Sequence, residues 1–316
     1  MSQTEEQLNV RVAWLYFMEG LTQSDIAERL GLTRLRVNRM VSEARSSGLV
    51  GITLNSSLTS CIELEQELTR RFSLQTAVIV PSPGDPHLTP TLLGRAAAEF
   101  ISRHLEERAV SGLGIGWGAT LRETISHVKA ARFPDLVVNS MMGGLTHGLE
   151  LNTFEIASAL AARLGAQCHY LAAPIYAGSP ESRDTILSQD VFRETFERIA
   201  ANDVALLSIG DLTPQSLLVR YGLPPDVAAH ELHAMGAVGD VMGQFFDIAG
   251  RTIDHPLNRR AIALPLDALR RIPTVVFAAG GRHKIKPIAA ALTARLASVL
   301  ICDEDTARAA AKLAQS

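Results

Sequence analysis

Leu21-Thr22-Gln23-Ser24-Asp25-Ile26-Ala27-Glu28-Arg29-Leu30-Gly31-Leu32-Thr33-Arg34 reads as two short helices joined by a tight turn. Thr22 is placed to cap the first helix and Asp25 to return the hydrogen bond, the pattern of a capping box. Gly31 supplies the bend, and Thr33 can cap the second helix. Along that second helix Val37, Met40, Val41 and Ala44 recur at helical spacing as a buried stripe, which leaves Arg34, Leu35, Asn38, Arg39 and Ser42 on the outer face. From Arg29 to Arg45 there are five arginines against Glu43 alone. Turn, caps and charge thus agree at the spacing of a helix-turn-helix, against the blander alternative of a helical hairpin with a solvated arginine face.

A local basic face is what the rest of the composition requires of any nucleic-acid binder. The 316 residues carry Lys+Arg 30 and Asp+Glu 33, a net charge of -3, so the global balance weakly repels phosphate. Arginine bonds bidentately to guanine and asparagine to adenine in the major groove, while other groups anchor phosphates. Arg34, Asn38 and Arg39 are therefore the candidates for base contact; Gln23, Thr33, Arg36 and Arg45 are candidates for positioning the backbone. Leu35 either touches a thymine methyl or is simply exposed.

The chain is long enough for two domains, and 47% hydrophobic with 20% charged residues excludes a wholly disordered or fibrous polymer. Cys61, Cys168 and Cys302 lie far apart and form no CxxC, which points away from a disulfide framework or a zinc ribbon and towards a reducing compartment. The first residues are polar and acidic, and no window approaches the roughly 18 apolar residues of a membrane span. The expectation is a soluble, cytoplasmic protein.

Its character changes once. Up to about Asn55 the apolar residues keep helical spacing; Asn55-Ser56-Ser57-Leu58-Thr59-Ser60 then reads as a joint, and a connecting helix is predicted from Cys61 to Phe72. The expected division is 1–55, 56–75 and 76–316. Beyond the joint, apolar runs alternate with amphipathic segments: Ala77–Val80, Val110–Ile115, Val137–Met141, Cys168–Ala172, Val204–Ile209, Ala261–Leu264, Thr274–Ala278 and Val299–Cys302. Such alternation predicts an α/β, Rossmann-like domain with a mostly parallel sheet covered on both faces. Glycines follow several of the runs, where open α/β sheets bind their ligands.

Two groups of motifs carry a resemblance. The first is Thr22-Gln23-Ser24-Asp25-Ile26-Ala27 with Ser42-Glu43-Ala44-Arg45-Ser46-Ser47-Gly48-Leu49-Val50. The second is the ordered set Gly114-Ile115-Gly116-Trp117-Gly118-Ala119-Thr120-Leu121, Met141-Met142-Gly143-Gly144, Gly236 to Asp247, and Ala279-Gly280-Gly281-Arg282-His283-Lys284. Across essentially its whole length the chain resembles the SorC family of bacterial sugar- and polyol-responsive transcriptional regulators. Val12-Ala13-Trp14-Leu15-Tyr16 is similar in wording to the erythritol-pathway repressors of that family. The resemblance implies a repressor that binds operator DNA, assembles as a tetramer, and answers to a small carbohydrate or polyol effector in a domain that looks like sugar-phosphate isomerases.

The same resemblance makes Gly116, Trp117, Gly118, Ala119, Thr120, Gly143, Gly144, Asp240, Phe245, Asp247, Gly280, Gly281 and Lys284 the candidates for effector contact. Backbone amides of the Gly116–Thr120 loop and the Thr120 hydroxyl can cradle an anion or a row of hydroxyls, although glycines there also serve a tight strand-to-helix turn. Lys284 stands out in a chain with four lysines. Asp240 is either an acceptor for ligand hydroxyls or a turn carboxylate, and Trp117 either stacks on a sugar face or belongs to the core. Family members that take bisphosphates usually offer an extra arginine beside the Met141–Gly144 strand; none stands there, which leaves an unphosphorylated polyol or a monophosphate.

The rival reading is an isomerase, deaminase or CoA-transferase with a helical appendage. It needs a positioned base or a nucleophilic carboxylate, and no such set can be assembled around Asp240 and His283. No catalytic residue, metal ligand or cofactor is predicted. His230 and His233 read as surface histidines, His127 and His147 have no partner spacing, and Asp303-Glu304-Asp305 reads as a solvated helix start.

Overall fold

The computed structural model describes residues 3–47, 49–50, 59–145 and 152–314. Gly48, Asn55 to Leu58 of the expected joint, and His147 lie outside them. The chain forms two compact units, Met1–Ser56 and Ser57–Ser316.

The first unit holds three helices, α1 (Gln3–Phe17), α2 (Gln23–Leu30) and α3 (Arg34–Ser46). Thr22 and Asp25 close the capping box on α2: the Asp25 N–H donates to Thr22 Oγ1 and the Thr22 N–H to Asp25 Oδ2, both at 3.2 Å. Gly31 ends that helix in the left-handed region at φ 65°, open to glycine without strain. Thr33 caps α3 by accepting from the Arg36 N–H at 3.3 Å. Val12, Leu15, Ile26, Ala27, Val37, Met40 and Val41 form the core, so α3 buries the predicted stripe.

The second unit is built on a seven-stranded, wholly parallel sheet in the order β1-β9-β8-β5-β2-β3-β4. These are β1 (Thr76–Val80), β2 (Gly112–Ile115), β3 (Val137–Ser140), β4 (Gln167–His169), β5 (Val204–Leu207), β8 (Thr274–Ala278) and β9 (Val299–Asp303), with β6 (Gly239–Val241) and β7 (Gln244–Phe246) paired as a separate antiparallel hairpin. The longer helices are α4 (Thr59–Phe72), α5 (Thr89–Glu107), α6 (Ala119–His127), α7 (Thr153–Leu164), α8 (Pro180–Leu187), α9 (Asp190–Ala200), α14 (Ile285–Thr293) and α15 (Glu304–Leu313); α10 (Leu217–Tyr221), α11 (Ala229–Ala234), α12 (Pro256–Arg260) and α13 (Leu266–Leu269) are short. Successive residues of a strand face opposite sides. Val276 and Ala278 of β8 join Leu93, Ile101 and Leu160 on one face, whereas Val275 and Phe277 join Leu64, Ile288 and Leu292 on the other. Both faces are therefore covered, as a parallel sheet requires.

Two expectations need correction. Ala261–Leu264 is as buried as a central strand but stays outside the sheet, making isolated bridges from Ala261 to Tyr176 and from Ala263 to Met142. The helix predicted from Cys61 is not a free connector: Cys61, Leu64, Leu68 and Phe72 of α4 are buried in the core of the second unit. No helix among the described residues is long and apolar enough to cross a membrane.

Candidate functional site

The strand order fixes where a ligand can bind. From β2 the chain runs outward through β3 and β4; from β5, hydrogen-bonded to the other side of β2, it runs the opposite way through β8 and β9. At such a switch point the loops after two adjacent strands diverge and leave a crevice beyond their carboxyl ends. A cavity of about 830 Å³ opens there, entirely within the second unit. It is lined by Gly116–Thr120 after β2, Leu207–Asp211 at and after the end of β5, Gly280–Lys284 after β8, Asp303 at the end of β9, Thr306 of α15, and Asp240 and Met242 of the hairpin.

Of the sequence candidates, Gly116, Trp117, Gly118, Ala119, Thr120, Asp240, Gly280, Gly281 and Lys284 are brought together on this cavity. Gly118 precedes α6 with φ 128°, no side chain caps that helix end, and Gly118, Ala119 and Thr120 line the cavity, which places uncapped amide donors at its wall. Trp117 both lines the cavity and packs against the core. Gly143, Gly144, Phe245 and Asp247 lie elsewhere. The Gly143 and Gly144 amides donate to Ile262 O and Ala173 O at 2.9 and 2.8 Å, and a side chain on either glycine would meet Pro174 or Phe154. Phe245 is fully buried in the core, and Asp247 closes a surface loop by accepting from Arg251. From the Met141–Gly144 stretch it is Met142 that reaches the cavity.

Asp240 is 3% exposed. Its Oδ2 accepts from the Gly243 N–H at 3.0 Å, whereas Oδ1 has no hydrogen-bond partner among the described residues. Burial pushes its pKa up to about 7, against the opposing pull of the Gly243 amide and the Lys284 charge. Burial likewise lowers the pKa of Lys284, while Asp211 and Asp240 hold it up. His283 Nε2 stands 3.7 Å from Asp211 Oδ2, and burial keeps this imidazole below the usual histidine range.

Sequence reasoning missed Asp211 and Asp303. Asp303, expected as a solvated helix start, does cap α15 through the Thr306 N–H at 3.1 Å, but it is only 4% exposed; it also accepts from the Gly281 N–H at 2.8 Å and from Ser82 Oγ at 3.1 Å. Asp211 accepts from the Thr213 N–H at 2.8 Å and from its hydroxyl. His230 and His233 are exposed on α11. Among the described residues no group of three metal-ligating side chains gathers.

In the first unit Arg34, Leu35, Arg36, Asn38 and Arg39 are all exposed on α3, Leu35 at 80%. Gln23 Nε2 donates to Asn38 Oδ1 at 3.3 Å, and both, with Arg45, line a shallow recess between α2 and α3. Arg39 pairs with Glu43 at 3.0 Å, and the Arg45 guanidinium lies 5.2 Å from the Phe17 ring centre.

Comparison with known proteins gives this geometry its context. Residues 56–310 match the family of sugar-binding domains. The chain is 30% identical over 309 residues to the erythritol catabolism regulatory protein EryD of Brucella abortus, covering 98% of each, and 31% identical over 312 residues to the transcriptional regulator LsrR of Escherichia coli K12, covering 96% of this chain and 94% of the relative. The full-length sorbitol operon regulator SorC of Klebsiella pneumoniae superposes with a TM-score of 0.73 at 25% identity, over 97% of this chain and 99% of that one. These relatives are named as regulators, not enzymes. The chain belongs to the SorC family of sugar-responsive, DNA-binding transcriptional regulators, whose shared module is the sugar-binding domain that spans its second unit.

Proposed function

We propose that the chain represses a carbohydrate or polyol catabolic operon: α3 reads the operator through Arg34, Asn38 and Arg39, and a small carbohydrate or polyol in the strand-end cavity releases it. The observation that carries this reading is the buried Asp240 carboxylate, whose Oδ1 has no hydrogen-bond partner among the described residues, in a cavity also lined by the start of α6 and Lys284. Hydroxyl groups offer both the donors that Asp240 lacks and the acceptors the amides need. One short helix contacts too few bases for genomic specificity, so the active species is a homo-oligomer, a tetramer by the family pattern, acting in the cytoplasm. Ligand can loosen DNA only by its preference for the released arrangement, and a tenfold effect takes about 1.4 kcal/mol of difference.

The test is a gel shift with the full-length chain on duplexes it selects from a random pool, with and without C4 to C6 sugars and polyols. Loss of the retarded band on adding one of them supports the reading. Retention with every compound overturns it. Sedimentation of a monomer at micromolar concentration, with and without DNA, overturns the assembly.

A further inference from the structure

Resting on that reading, we infer that the cavity is selective for an uncharged polyol and discriminates against the same polyol carrying a phosphate. Charge in the cavity is unevenly balanced and unevenly placed. Asp211, Asp240 and Asp303 line the cavity at 4%, 3% and 4% exposure, so three carboxylates are held out of water there. Against them stands one half-buried cation, Lys284, whose charge already faces both Asp211 and Asp240. At the rim Asp305 and Arg282, both exposed, offset each other and are screened by solvent. Even with Asp240 shared between its charged and neutral forms near pH 7, Asp211 and Asp303 leave the interior with more negative than positive charge. A phosphate dianion entering it meets like charge in a poorly screened setting, which disfavours binding.

Placement strengthens the point. The groups suited to a phosphate are the free amides at the start of α6, after β2, and the Lys284 ammonium, after β8. In the sheet those two strands are separated by β5, which puts the two loops about two strand spacings, roughly 10 Å, apart at their roots. The lining arginine and lysine, Arg282 and Lys284, both follow β8, so a phosphate at the α6 amides has them on the far side of β5, and one at Lys284 competes with Asp211 and Asp240 for the same charge. A chain of hydroxyls has neither difficulty. It can donate to Asp240, accept from Lys284 and the α6 amides, and bridge between them with uncharged groups. Asp240 also favours a donor directly, because a hydroxyl hydrogen bond stabilises a carboxylate that burial leaves poorly satisfied.

The test is calorimetric titration of the full-length protein with erythritol, D-sorbitol and ribitol, each beside its own monophosphate, and with inorganic phosphate. At least one neutral polyol should bind at least tenfold more tightly than its phosphate, and Asp240→Asn should weaken that polyol at least tenfold. Wild-type protein alone decides the selectivity, so a variant that fails to fold does not rescue the inference. A phosphate ester that binds as tightly as its parent polyol, or more tightly, overturns the inference while leaving the regulator reading in place. Binding by neither class, with operator affinity also unmoved, overturns the proposed effector reading and the inference together.

Discussion

Gly210 and Asp240 exchange both of their backbone hydrogen bonds: the Gly210 N–H donates to Asp240 O at 2.8 Å, and the Asp240 N–H to Gly210 O at 3.3 Å. This bridge ties the β6–β7 hairpin to the end of β5, the strand beside the switch point. It also brings the Asp240 carboxylate against the Gly210 Cα, where any side chain would collide with Oδ1. The glycine is needed for close approach, not for turn conformation.

Gly210→Ala should therefore push the Asp240 carboxylate out of place while leaving the first unit untouched. Polyol affinity measured by titration should fall at least tenfold, and the melting temperature should drop in keeping with overpacking of about 1–3 kcal/mol. Operator affinity without ligand should stay at the wild-type value. Unchanged polyol affinity would separate the bridge from the site.

Asp240 also makes stability depend on pH. Its folded pKa of about 7 lies above its unfolded value, so between about pH 4 and pH 7 the folded state binds a proton that the unfolded state does not. Stability falls as pH rises through this window, by about 1.4 kcal/mol per unit of difference for this group. Asp240→Asn lacks that dependence. Relative to wild type it should melt higher at pH 8 than at pH 5, as thermal denaturation at both pH values would detect; an unchanged difference sinks the assignment.

How far the sequence discloses such features depends on their range. The capping box at Thr22 and Asp25, the bend at Gly31 and the stripe from Val37 to Ala44 are set within one or two helical turns, and the helix-turn-helix was legible from them. Thr274–Ala278 was legible as a fully buried strand because both of its faces are apolar. Ala261–Leu264 has the same apolar signature for another reason: it is buried beneath bridges to Met142 and Tyr176, and apolarity reports burial, not membership of the sheet. The β6–β7 hairpin was missed because its strands have three residues each and its turn is Met242-Gly243, both at positive φ (53° and 74°), where Asn-Gly is the usual signal. Asp211 and Asp303 meet at the cavity only through the sheet order, which no local spacing records.

On the DNA side, the hydrogen bond from Gln23 Nε2 to Asn38 Oδ1 leaves the Asn38 amide nitrogen pointing away from Gln23. That is the donor an adenine edge requires. Asn38→Ala should cost about 1–3 kcal/mol on the selected operator and little on random duplex, as competition gel shifts would measure. Equal weakening on both would make Asn38 a backbone contact. Gln23→Ala, which frees the Asn38 amide to rotate, should show a smaller effect of the same kind.

Where the chain can be cut follows from how α4 is held. The sequence treats 56–75 as a linker, but α4 is anchored to the sheet domain by more than chain continuity. Glu65 Oε1 accepts from the Ile79 N–H of β1 at 2.8 Å, Arg71 Nη1 donates to Ala311 O of α15 at 2.7 Å, and Cys61 Sγ lies 3.7 Å from Glu304 Oε2. Leu64, Leu68 and Phe72 are all buried beneath these contacts. Burial of a large apolar side chain is worth about 1.5–3 kcal/mol, so deleting α4 should remove at least ~5 kcal/mol, comparable to the whole stability of a domain. A fragment beginning at Ser57 should fold, bind polyol like the full chain and fail to retard operator DNA. One beginning at Gln75 should melt far lower or remain insoluble. If the shorter fragment matches the longer in melting temperature and polyol affinity, α4 is a connector and its packing contributes nothing to the effector domain.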